Sequence, residues 1–207
     1  MAAELPDVFV RFEGIEGECM DQRYPGKAAE KTSYPAGQKF GWFQIKSFSF
    51  NFGVKDKEAL GAGGAPRSGA SGGGSTSDGS GNDGPLDRSE VTLSKNLDVG
   101  SASIWKDNCH SGKVIAEAEV VACRQGGTGG DEKIPFVRFI FQEVYITDIS
   151  MALAEESLPT ETMHFSYDRM RMESLWTDNE TGDRAIDRPR RAGWDFMKNK
   201  DWSGEDV

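Results

Sequence analysis

Apolar and polar positions alternate with a period of two along most of this chain, the pattern of half-buried β-strands. Val8, Val10 and Phe12 alternate with Phe9, Arg11 and Glu13, and Gly14 and Gly17 end that first strand. The densest run is WFQIKSFSFNF, from Trp42 to Phe52. Phe48, Phe50 and Phe52 alternate with Ser47, Ser49 and Asn51 and line one face. Phe43 and Ile45 have the opposite parity, so either the burial register switches near Lys46 or both faces are covered. A strand with two apolar faces wants a partner beyond its own sheet. Val91 and Leu93 mark a short strand, and Lys113 to Arg124 a longer one. Pro135 to Ile149 is the longest, with Phe136, Ile140, Val144 and Ile146 on one side and Val137, Phe139, Phe141 and Tyr145 on the other. Thr162 to Leu175 gives the last, with Met163, Phe165 and Tyr167 on one parity. Only one stretch has a convincing helical period: Ala102, Trp105 and Cys109 fall at i, i+3 and i+7, with Asp98 or Ser101 placed to cap the first amides and Gly112 to end the helix.

The stretches without a period divide the chain. Residues 21–41 carry Pro25, Gly26, Pro35, Gly37 and Gly41 and read as a long loop. Residues 55–87 are a compositional break; from Gly61 to Gly84 almost every residue is Gly, Ser, Ala, Asp, Asn or Thr. Such a segment cannot bury enough apolar surface to offset the entropy of ordering it, and its coil would span about 25–30 Å. The part before it has too few strands for a core of its own, so residues 1–207 are expected to form a single domain with a flexible loop at 55–87. A charged tail at 176–207 ends the chain. Its Trp194 and Trp202 stand in a solvated context, and exposed tryptophans usually dock on something.

Charge and composition then exclude classes of function. With 24 Lys plus Arg against 34 Asp plus Glu, the net charge is −10. That disfavours nucleic acid and anionic membrane surfaces, which draw on basic side chains. The start, MAAELPDVFVRFEG, has neither the basic beginning nor the apolar core of a secretory signal, and no apolar run is long enough to insert in a membrane. The chain is therefore expected in the cytoplasm, with any export by another route. Cys19, Cys109 and Cys123 are too few and too scattered for a disulfide framework and read as reduced thiols.

Candidate chemistry adds little. Gly69-Ala70-Ser71-Gly72-Gly73 fits the letters of a nucleophile elbow but lies in low-complexity sequence, and the glycine-rich loop lacks the G-K-[ST] of a phosphate loop. His110 and His164 lie in different elements, without the ligand spacing that zinc demands. Glu13, Glu16 and Glu18 read as a solvated turn. Glu143 and Asp148 have opposite strand parity, which argues against a paired-carboxylate site. Asn179-Glu180-Thr181 fits the glycosylation pattern, which matters only in an exported eukaryotic chain. No catalytic residue, cofactor site or metal site is expected. A β-rich chain with two doubly apolar strands and docking aromatics suits a structural or assembly protein.

Several stretches, in order, resemble the Hcp (hemolysin-coregulated protein) family, the tube protein of type VI secretion systems. FVRFEGIEGE looks like the family's opening strand and G-I-x-G-E turn. WFQIKSFSFNFGV is similar to its W-I-x-I-x-S-F-S-x-G-V strand, with Trp42, Ile45, Ser47, Phe48, Ser49, Gly53 and Val54 in matching places. Lys95, Asp98 and Ser101 fit K-x-x-D-x-x-S before the helix. ETMHFSY, Glu161 to Tyr167, looks like E-x-V-x-F-x-Y, and Gly193-Trp194-Asp195 with Asn199-Lys200 resembles the G-W-D…N-K ending. Residues 27–40 look inserted, the Gly/Ser loop is longer than usual, and the stretch before GWD is unusually charged.

The resemblance implies a mainly β fold, a small β-barrel of two packed antiparallel sheets with one short flanking α-helix. It implies a homo-hexamer whose rings stack into a tube, together with a spike protein, a sheath and effector proteins carried in the lumen. No cofactor or enzymatic activity is implied. Export follows assembly, without a signal peptide. Trp42, Phe43 and Ile45 on the doubly apolar strand, and Trp194 and Trp202 in the tail, are the candidate contacts between subunits or rings. A tube protein of a related contractile injection machine, or an Hcp-like secreted carrier, has the same sequence signals.

Overall fold

The computed structural model describes residues 7–15, 17, 19, 41–54, 86–126, 132–155, 157–174 and 190–202. The stretch that looks inserted, most of the glycine-rich loop, and residues 176–189 and 203–207 of the tail lie outside them.

Among the described residues, eleven strands and one helix follow in chain order: β1 (Asp7–Phe12), β2 (Trp42–Ser49), β3 (Phe52–Val54), β4 (Leu86–Arg88), β5 (Val91–Asn96), α1 (Val99–Ser111), β6 (Ile115–Gly126), β7 (Glu132–Ala152), β8 (Thr160–Ser166), β9 (Arg169–Ser174), β10 (Arg190–Asp195) and β11 (Lys200–Asp201). Strands β7-β6-β1-β2-β5-β8 run side by side, and β8 pairs back onto β7, so six strands close a barrel. The expected class is met, with both walls belonging to one nine-stranded sheet. Strands β9, β10 and β11 branch from β7 beyond the closure, and β3 with β4 forms a separate two-stranded ribbon. Closure removes sheet edges that would otherwise invite pairing with other chains.

The long strand β7 makes closure possible. It pairs with β6 from Glu132 to Val144, while its other side pairs first with β9, from Val137 to Gln142, and then with β8, from Tyr145 to Ala152. Glu143 sits at the changeover with φ +54°. A left-handed backbone costs a residue with a Cβ about 1–2 kcal/mol. Glu143→Gly is therefore expected to be neutral or stabilising by about 1 kcal/mol, where glycine in an ordinary strand costs about that much. Urea unfolding measures it; a loss of stability would mean that the Glu143 side chain matters more than its backbone.

Both doubly apolar strands turn most of their apolar side chains to one barrel core, with Trp42 on β2 and Ile140 on β7 buried on the other face within the same chain. The β2–β5 register shifts between Ile45 and Ser47, so Phe48 and Phe50 come to lie against the same core that takes Phe43 and Ile45. Along β7, Phe139 and Phe141 meet that core, then Val144 and Ile146, then Ile149. The steps from 141 to 144 and from 146 to 149 are odd. The first spans Glu143, and the second spans the register shift between Ile146 and Asp148. At the second, an extra residue moves every later side chain to the other face; at the first, β6 keeps its register across Glu143 and the left-handed residue itself marks the change. The expectation that these strands need a partner outside the chain is thus corrected.

Aromatic rings form a connected set within the core. Phe12 meets Phe43 and Phe165, Phe141 meets Phe165 and Tyr167, and Phe48 meets Phe139, with ring centroids 4.9–6.3 Å apart. Helix α1 places Ile104 in this core and turns Ser101 inward. Ala102 and Trp105, expected on its buried side, are exposed, and the Cys109 side chain is outside the described ones. Two adjacent stripes of this helix carry apolar residues, and the period alone does not choose between them. The expected ends are both found. Asp98 accepts a bond from the Ser101 amide at 3.1 Å while its own amide donates to Ser101 Oγ at 3.1 Å, and Gly112 follows the helix at φ +55°.

Candidate assembly surface

The residues proposed from sequence as contacts do not form one surface. Phe43 and Ile45 are buried in the barrel core. Trp42 is 2% exposed and packs with Phe9, Val121 and Cys123 on the opposite face of the sheet. Trp202 is 4% exposed, with the Arg171 guanidinium 5.3 Å from its ring, and its amide donates to the Gly193 carbonyl at 3.0 Å. A Cβ on Gly193 would run into the Trp202 carbonyl oxygen, which explains the glycine there. Strand β10 pairs with β9 from Arg190 to Asp195. Residues 190–202 are therefore woven into the sheet. Four of the five residues have almost no area left for a neighbour, and only Trp194 is partly exposed. Tryptophans in a polar stretch looked exposed because the chain that covers them is distant in sequence.

Exposed apolar side chains collect elsewhere, where reading the sequence missed them. Val99 and Leu153 are each 78% exposed and Leu158 69%. The Leu97 amide donates to the Pro159 carbonyl at 2.9 Å, which brings the β5–α1 junction beside the β7–β8 connection. Val99 and Leu153 follow other apolar residues and Leu158 stands alone, so no period sets them apart as exposed.

Behind this rim, four residues quoted from the family pattern converge. Lys95 on β5 is buried. Its Nζ lies 2.9 Å from Asp98, 2.7 Å from Ser101 Oγ and 3.7 Å from Glu161, and 4.9 Å from the Phe43 ring centre. Lys95 and Glu161 are also cross-strand partners in the β5–β8 pair. The cluster locks the start of α1 to two barrel strands. A buried ion pair contributes little net stability over a packed apolar pair, but each partner needs the other.

A second charged strip crosses the sheet face opposite the core. Glu119 receives Arg11 at 3.1 Å and Arg138 at 2.9 Å, and Glu173 receives Arg171 and Arg191 at 3.2 Å each. Arg138 also lies 3.6 Å from Glu173, so the strip runs from β1 to β10. Burial, with Glu119 and Glu13 nearby, pushes the Glu117 carboxyl above its usual range against the pull of Arg11.

The base of the β3–β4 ribbon is held on both strands. The Ser89 amide donates to the Asn51 carbonyl at 2.9 Å, and the Asn51 amide to Ser89 Oγ at 2.7 Å. Arg88 reaches Asp168 at 3.2 Å and lies 5.4 and 5.5 Å from the ring centres of Tyr167 and Phe196. Burial, only partly offset by Arg88, raises the Tyr167 hydroxyl pKa to about 12.

His164 Nδ1 lies 3.1 Å from Thr92 Oγ1 on the barrel wall. The side chain of His110 and the G-x-S-x-G stretch lie outside what is described. Among the described residues no group of three or more metal-binding side chains forms, and no helix is long and apolar enough to cross a membrane.

Comparison with known proteins gives a consistent picture. A family model described as "Type VI secretion system effector, Hcp" matches residues 9–173. The fold is similar to a solved structure of a type six secretion system protein, with TM-score 0.67 and 18% identity over 95% of this chain and 99% of that one. It is also similar to Hcp1 from Salmonella typhimurium, with TM-score 0.62 and 16% identity over 96% and 100%. A type VI secretion system effector from Yersinia pestis matches at TM-score 0.56 and 17% identity, over 91% and 99%. No match was found among curated protein sequences.

Proposed function

The chain belongs to the Hcp family of type VI secretion system effectors, and from that premise we propose that it is a structural tube protein rather than an enzyme. Six copies close into a ring, and rings stack into the inner tube of a type VI secretion system and carry effectors in the lumen. Assembly takes place in the cytoplasm, and the tube then leaves the cell without a signal peptide. A spike protein and a sheath are its partners. The family match over residues 9–173 carries this reading.

The exposed rim of Leu97, Val99, Leu153 and Leu158, with partly exposed Trp194, supplies candidate contact area. A ring needs a heterologous contact that closes on itself, so two different patches of each chain must meet. The expected outcome is a six-chain particle by light scattering at micromolar concentration, with rings in negative-stain images. A monomer at that concentration overturns the proposal. The family description also calls these proteins effectors, which favours a second reading as a secreted carrier; a stable ring that retains a co-expressed effector but never stacks would select it.

A further inference from the structure

We propose that Arg88 is a positioning residue that sets the direction in which the β3–β4 ribbon leaves the barrel. The ribbon is only three residue pairs long, Phe52↔Arg88, Gly53↔Asp87 and Val54↔Leu86, and it belongs to no other sheet. A two-stranded ribbon of this size has no stability of its own. What orients it must therefore lie at its base.

Two attachments are present there. Asn51 and Ser89 tie the two strands to each other, and Phe50 stacks on Phe52 with centroids 6.1 Å apart. Those contacts close the ribbon without fixing it to the barrel wall beyond β2 and β5. Arg88 alone among the described ribbon side chains reaches across to the far wall. Its guanidinium pairs with Asp168 and lies near the rings of Tyr167 and Phe196.

That far wall is a joint of four strands. The Asp168 amide donates to the Gln142 carbonyl of β7 at 3.0 Å, and the Asp168 carbonyl accepts from the Phe196 amide after β10 at 2.9 Å. Tyr167 and Asp168 separate β8 from β9, and Tyr167 packs edge-on against Phe141 and Phe196. Arg88 thus grips a fixed point through one charge pair and two ring contacts. A planar guanidinium suits this site, where a lysine ammonium keeps the charge but loses the stacking.

The consequence for assembly rests on the tube reading: a ribbon held at a fixed angle presents a fixed contact to the next ring. The test uses the full chain in four forms, unchanged, Arg88→Gln, Arg88→Lys and Tyr167→Phe. Hydrogen exchange at residues 52–54 and 86–88 is expected to rise at least about tenfold in Arg88→Gln and less in Arg88→Lys. It should stay unchanged in Tyr167→Phe, which keeps the ring, while strands β5 and β8 stay protected in all four. Unchanged ribbon exchange in Arg88→Gln, or an equal rise in every strand, overturns the inference, the second because Arg88 would then act through global stability. In images, Arg88→Gln is expected to form rings without stacks; stacks equal to those of the unchanged protein would overturn the assembly consequence. If the unchanged protein forms no rings, the tube reading fails, and the exchange result still decides the role of Arg88.

Discussion

Lys95→Ala is expected to destabilise the chain by about 3–5 kcal/mol, the range for removing one partner of a buried pair. At this chain length that lowers the melting temperature by roughly 10 °C. The cause is the partner left behind. Glu161 is as deeply buried as Lys95, and its carboxylate oxygens have no hydrogen-bond donor among the described residues beyond the pairing with Nζ. Removing the ammonium leaves a charge that must be protonated or hydrated. Asp98 also loses Lys95 but keeps its bond from the Ser101 amide, so the helix cap weakens without failing. Glu161→Ala should cost less, because Lys95 retains Asp98 and Ser101. The double replacement Lys95→Met with Glu161→Met should recover most of the loss, since apolar residues of similar volume can replace a buried pair at little cost. Urea unfolding of the three variants measures the set. A double variant as unstable as Lys95→Ala would show that the pairing is not the source of the loss.

The second large effect is expected at the end of the chain. Trp202→Ala should cost about 3–5 kcal/mol, the range for truncating a buried aromatic side chain. Trp202 is the far end of a β10–β11 hairpin held to β9, with Asn199 in the turn at φ +50°, a conformation that asparagine tolerates. It covers Arg171, whose Glu173 partner joins the charged strip on the opposite face from the core. Truncation from Gly193 should therefore lower the melting temperature of the isolated chain, rather than only weaken contacts between rings. Thermal unfolding of the truncated protein under monomeric conditions tests this. An unchanged midpoint would return these tryptophans to the role of external docking groups.

Much of the fold was legible in the sequence. The alternation at Val8–Phe12, Val91–Leu93 and Lys113–Arg124 depends only on the period of an extended backbone, so those strands appear where the pattern places them, whereas the stretch expected as one last strand, Thr162 to Leu175, is parted at Tyr167 and Asp168 into β8 and β9. Asp98 and Gly112 announce the helix ends because capping is a local hydrogen-bond and backbone requirement. The shared order of the quoted stretches led to the family.

The assembly surface was much less legible. Parity along Trp42–Phe52 and Pro135–Ile149 did not show which apolar residues share the barrel core, because the register shifts near Lys46 and between Ile146 and Asp148 come from pairing with distant strands. Nothing local marks the extra residue. Lys95 and Glu161 are 66 positions apart, and only the β5–β8 register brings them together. Trp202 looked exposed for a related reason: exposure depends on what folds over a residue, and β9 and β10 do so from elsewhere in the chain. The sequence alone therefore determined the mainly β class, the capped helix between Asp98 and Gly112 and the family, since those follow from local periodicity, capping chemistry and residue order. Only the tertiary structure decided which face each strand buries, which tryptophans are covered and where apolar area remains free, because burial is a property of contacts between segments far apart in the chain.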